Sequence, residues 1–87
     1  MMIRKKVMSI NTKILINLNT IDKVVKFSRE IITLDSDVNI YQDSRYYDAK
    51  SILAIFSLNM NQKHYIEIIS DDEDEIRKFN EIAEEYK

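Results

Sequence analysis

Four groups of side chains in this 87-residue chain are of types that could do chemistry. Ser51 follows Lys50 and precedes the apolar run Ile52-Leu53-Ala54-Ile55-Phe56, so it stands where a helix should begin. A hydroxyl there can cap free backbone N–H groups. A phosphoryl group on it would bring about −1.5 to −2 charges to the positive end of the helix dipole. Residue type alone favours the plain cap. His64 is the chain's one histidine, and spacing sets no acid, serine or second histidine beside it. A surface or edge-strand place is therefore expected for it, rather than a general base or phosphoryl acceptor. The run Asp71-Asp72-Glu73-Asp74-Glu75 lacks the glycine turn and alternating ligands of a calcium loop. It suits the first turn of a helix, where the dipole favours each carboxylate by roughly 0.3–1 kcal/mol. Tyr41, Tyr46 and Tyr47 with Arg45 and Lys50 could stack bases, but two cations make a poor electrostatic footprint and β-propensity explains the rings.

The elements that must position these residues belong to one modest domain. The chain is 45% hydrophobic and 32% charged with a formal net charge of −2, which fits a globular protein and argues against nucleic acid as a partner. With no cysteine, disulfide frameworks, thiolate metal sites and thiol nucleophiles are excluded. With no glycine and no proline, glycine-rich phosphate loops are excluded too, and any turn needing φ > 0 must fall to Asn, Asp or another residue. No apolar run approaches the roughly 18 residues of a membrane span, and Met1–Lys6 lacks a following apolar stretch of the signal-peptide kind. A cytoplasmic setting is expected, with no membrane, metal or cofactor.

Period two in Lys13–Leu18 places Ile14, Ile16 and Leu18 on one face of a strand. Asn19 and Thr20 offer helix caps, and Ile21, Val24, Val25, Ser28, Ile31 and Ile32 then recur at three and four, a helix ending near Thr33. Val38–Tyr41 and Tyr46-Tyr47 read as a hairpin around Gln42–Arg45. Asp48–Ser51 opens a second helix reaching about Leu58, and His64–Ile69 alternates as a strand. Ser70 or Asp71 caps a third helix with the stripe Ile76, Phe79, Ile82, Ala83 and Tyr86. The order β-α-β-β-α-β-α predicts an α+β open-faced sandwich, a four-stranded antiparallel sheet with three helices on one face. Residues 1–11 read as an N-terminal extension in which Val7–Ile10 could add a strand, and 12–87 as the domain.

Asp48-Ala49-Lys50-Ser51-Ile52-Leu53-Ala54-Ile55-Phe56-Ser57-Leu58 closely resembles the segment around the regulatory serine of HPr, the small phosphocarrier of bacterial sugar phosphotransferase systems. That segment typically reads like D-A-K-S-I-L-G-I-M-S-L. Leu34–Ile40 looks like the family's F-D-A-D-I-x-I, and Ile66-Glu67-Ile68 with the acidic helix start looks like its end. The resemblance covers roughly Lys13 to Tyr86, and the HPr fold has this same element order. It implies regulatory phosphorylation at Ser51 and a partner surface of Lys50, Ser51, Ile52, Leu53 and Phe56, with Asp22 and Lys26 nearby.

The family's carrier motif, G-[LI]-H-A-R-P, falls without gaps on Leu18-Asn19-Thr20-Ile21-Asp22-Lys23. Thr20 then stands at the phosphoryl-accepting histidine and Asp22 at the arginine. Threonine forms no labile phosphoimidazole, Asp22 would repel the phosphoryl group, and Lys23 lacks the guanidinium fork. The resemblance thus implies a noncatalytic regulatory or adaptor protein, with a serine kinase/phosphorylase, a transcription regulator or a phosphotransferase-system component as partner. The alternatives are an atypical carrier using Thr20 or His64, and a self-associating structural domain; a monomer or weak homodimer is expected.

Overall fold

A computed structural model describes residues 10–87 and sets their elements in the expected order: β1 (Lys13–Ile16), α1 (Ile21–Ile31), β2 (Asp37–Gln42), β3 (Arg45–Asp48), α2 (Ile52–Phe56), β4 (His64–Ile69) and α3 (Glu73–Glu84). All pairings are antiparallel, and the sheet runs β1-β4-β2-β3. The inward sides of β1, β2 and β4 supply Ile14, Ile16, Val38, Ile40, Ile66 and Ile68 to one core shared with the three helices. The expected open-faced sandwich is the fold. The strand expected over Val7–Ile10 falls mainly outside the described residues, and Ile10 itself lies in no strand.

The β2–β3 hairpin needs a positive φ, and with no glycine in the chain Asp43 adopts it at 56°. A short polar side chain tolerates that region best among non-glycine residues. Thr20 caps α1, its hydroxyl accepting from the Lys23 N–H at 3.1 Å. The inward stripe of α1 is Val24, Phe27, Ser28 and Ile31. Of the stripe expected from spacing, Ile21 and Ile32 instead face solvent, and Phe27 takes the missing inward place. Its ring meets Tyr86 edge-on with centroids 5.4 Å apart, so the largest apolar side chain available to the helix is the one fully enclosed.

The third helix begins later than Ser70 or Asp71. Asp72 is the cap, accepting from the Asp74 N–H at 2.9 Å, while Ser70 accepts from the Asp72 N–H at 3.0 Å. The stripe Ile76, Phe79, Ala83 and Tyr86 is buried, with Ile82 half-buried against it. One member of the acidic run is buried as well. Glu75 accepts from the Asp35 and Ser36 N–H groups at 2.8 and 2.9 Å and from the Ser36 hydroxyl at 3.0 Å, tying α3 to the turn before β2. The Ser36 N–H chiefly holds this carboxyl below its usual range, against the opposing effect of burial.

A depressed folded-state value means that the carboxylate's contribution is present above the ordinary carboxylate range and is lost as pH falls through the folded value. We expect Glu75→Gln to lower the melting temperature at neutral pH and to flatten its fall between neutral and acidic pH. Thermal unfolding across that range checks this; parallel curves for both proteins would contradict it.

Candidate functional site

The turn into α2 is built from Asp48, whose carboxylate accepts from the Lys50 N–H at 2.9 Å and whose carbonyl accepts from the Ser51 N–H at 3.0 Å. Ala49 is fully buried and donates its N–H to the Val38 carbonyl at 2.8 Å, pinning this turn to the sheet. Ser51 caps α2 with its hydroxyl 3.3 Å from the Ala54 N–H. The helix is shorter than expected, five residues, because the Ser57 and Leu58 N–H groups turn back to the carbonyls of Ala54 and Ile55.

Those five residues divide cleanly. Ile55 is buried and Ile52 packs partly against the core, whereas Leu53 is 79% and Phe56 41% exposed. Each pair is spaced by three, so each lies along one side of the helix. Lys50 does not stand free beside Ser51: its ammonium donates to the Leu34 carbonyl at 2.6 Å. Lys26, expected on the same surface, is directed to α3 instead, in an exposed 2.9 Å ion pair with Glu85. Asp22 lies exposed in the first turn of α1 and Lys23 is half-buried one residue on. Ile21, 63% exposed on the helix that packs against α2, adds an outward apolar side chain that the spacing argument had assigned to the core. Nothing in the period of α1 distinguished it, because Ile21 and Val24 satisfy the same three-residue rule.

His64 is not a surface or edge-strand residue. It opens β4, an interior strand, and is only 4% exposed. Its Nδ1 is 3.0 Å from the Tyr41 carbonyl and its Nε2 2.9 Å from the Asn59 carbonyl. The ring thus bridges β2 to the loop after α2, and it lines a cavity of about 10 Å³ with Leu18, Val24, Ile55, Leu58 and Met60. That space holds a water at most. A phosphoryl acceptor needs a free ring nitrogen with room around it, and this imidazole has neither. We expect His64→Ala to destabilise the fold by about 1–3 kcal/mol, through loss of the ring's hydrogen bonding between β2 and the loop after α2 and the cavity its removal leaves, measured by urea unfolding.

Matching against protein families finds the family model described as "PTS HPr component phosphorylation site" over residues 19–86. The chain belongs to the PTS HPr family. HPr-family proteins are phosphocarriers rather than enzymes, so this member is a phosphotransferase-system-related protein of phosphocarrier type. Among solved structures, HPr from Bacillus anthracis str. Ames is similar, with a TM-score of 0.66 and 19% identity over 88% of this chain and 100% of that one. HPr-C-His from Thermoanaerobacter tengcongensis gives a TM-score of 0.64 and 18% identity over 83% and 90%. The Bacillus subtilis catabolite repression protein Crh, described as a domain-swapped dimer, gives 0.59 and 22% over 99% and 98%. At these identities the likeness shows the HPr fold. A search of curated proteins returns no significant match. Among the described residues no helix is long and apolar enough to cross a membrane.

Proposed function

We propose that this HPr-family chain is a noncatalytic regulatory or adaptor protein that acts by protein contact through the α2 surface and is switched by phosphorylation of Ser51. The observation that carries the reading is the outward apolar set on the two packed helices, Leu53 and Phe56 on α2 with Ile21 on α1, beside a half-exposed capping serine. Large apolar side chains left in water cost about 25 cal/mol per Å² that a partner would recover. A phosphoryl group on the Ser51 oxygen would keep an acceptor for the Ala54 N–H and add charge at the rim of that surface. In keeping with the family, the partners are a serine kinase/phosphorylase and a regulator or phosphotransferase-system component.

Residue types at the carrier position support the noncatalytic half. Thr20 is committed to capping α1, Asp22 offers a carboxylate where an arginine would grip phosphate, and the single histidine is enclosed. Incubation with phosphoenolpyruvate and enzyme I is expected to give no protein-bound phosphate, neither the acid-labile kind of a histidine nor the acid-stable kind of a threonine. ATP and an HPr-family serine kinase are expected to give acid-stable phosphate on the native chain and none on Ser51→Ala. Stoichiometric label on His64 or Thr20 would overturn the noncatalytic reading, and an unmodified Ser51 would remove the switch.

A further inference from the structure

The sheet face opposite the helices carries a row of rings that the HPr-like site does not use. Leu15 on β1 is registered with Tyr65 on β4, and Tyr41 on β2 with Tyr46 on β3. Lys13 confirms the shared face: its ammonium lies 4.5 Å from the Tyr41 ring centroid and 5.4 Å from that of Tyr65. The Tyr41 and Tyr46 rings are 5.8 Å apart. Tyr46 is 64%, Ile69 53% and Tyr65 48% exposed, so this is a broad unpartnered aromatic strip. Beside it lies an open depression of about 410 Å³ lined by Asp37, Asn39, Tyr46, Tyr47, Asp48 and Ile69.

The face is also acidic. Asp37, Asp48 and Glu67 stand against the one cation Lys13, and among the described residues none of the three has an ion-pair partner. Glu67 holds the Tyr41 hydroxyl. Carboxylates among exposed rings disfavour a phosphodiester chain and favour a segment that is at once basic and apolar. Such a segment precedes β1 in this same chain: Met1-Met2-Ile3-Arg4-Lys5-Lys6-Val7-Met8-Ser9. It joins the described residues at Ile10, just before the edge strand β1, where Asn80 of α3 grips the Asn11 backbone through two hydrogen bonds of 3.2 and 2.8 Å. Nine extended residues reach about 30 Å, whereas crossing from β1 to β3 takes only about 14 Å.

We propose that the open sheet face is a docking surface for the chain's own residues 1–9, laid across the Tyr65–Tyr41–Tyr46 row with Arg4, Lys5 and Lys6 against Asp37, Asp48 and Glu67. The surface lies opposite the helices that bear Ser51, so the proposal is independent of the phosphorylation reading.

The chain has no cysteine, so Ile3→Cys gives a single point for a paramagnetic label in the full-length protein. Labelled protein should lose the amide signals of Tyr46, Asp48 and Ile69 while those on the outer faces of α1 and α3 persist. The further change of Arg4, Lys5 and Lys6 to Glu should restore them, as should raised salt. Broadening spread over the helices, or absent from the open face, would overturn the proposal. A mixture of labelled and isotope-labelled chains should show no transfer; signal loss there would assign the face to a second copy's segment and overturn docking within one chain.

Discussion

Phe27→Ala is expected to lower the unfolding free energy by about 3–5 kcal/mol, read from urea denaturation. Phe27 is fully enclosed and is the one aromatic side chain of α1, so its removal empties the space between the helix and the sheet. The loss spreads further through Tyr86. That ring packs edge-on against Phe27, and its hydroxyl donates to Glu30 of the same helix. Burial, then the Glu30 contact, pushes the Tyr86 hydroxyl's pKa upward, so the phenol stays protonated and keeps donating through the neutral range. Small domains hold only about 5–15 kcal/mol in total, so the variant should be partly unfolded at physiological temperature. Phe27→Leu should lose less, because most of the volume remains. A loss under about 1 kcal/mol for the alanine variant would mean that the ring does not fill the core as described.

Leu53→Glu is expected to do the reverse, sparing the fold and weakening partner binding. An exposed substitution away from caps and core usually changes stability by no more than about 0.5 kcal/mol. Leu53 is 79% exposed and makes no described side-chain hydrogen bond that glutamate would break. At the centre of a contact surface, a buried apolar anchor is worth about 2 kcal/mol or more, or roughly 30-fold in affinity. The measurement is the concentration of this chain at which an HPr-family serine kinase half-saturates, paired with the urea midpoint. Ile55→Glu separates the two faces, since it should unfold the protein rather than only weaken binding. Unchanged kinase affinity for folded Leu53→Glu would remove α2 from the proposed interface.

The two variants differ because α2 has an inside and an outside that its sequence does not mark. Ile52, Leu53, Ile55 and Phe56 are all strongly apolar, and over five residues no period can separate one face from the other. Packing against α1 and β3 makes the separation. The same is true of α1, where Ile21, Val25 and Ile32 fit a helical stripe as well as Phe27 does. The sheet accepts the stripe centred between Val24 and Phe27.

His64 shows the limit from another side. At the start of an alternating strand it reads as an edge residue, because the sequence does not say which strands flank it. Pairing of β4 with both β1 and β2 places it inside, where the Tyr41 carbonyl of β2 and the Asn59 carbonyl of the loop just before β4 meet its ring nitrogens. Tyr65 joins Tyr41 and Tyr46 only through the same pairing, and Tyr47, adjacent to Tyr46 in sequence, belongs to the other side of β3.

By itself the sequence determined the order of elements, since the switches between period two and three-to-four are local properties of the chain. It also determined that a positive-φ turn must fall to a residue such as Asp43, and it carried the residues that mark the HPr family. Only the tertiary structure decided which apolar side chains of α1 and α2 are core, that His64 is enclosed, and that the open sheet face is aromatic and acidic. Those properties depend on which separate elements come together, and side-chain spacing within one segment carries no record of that.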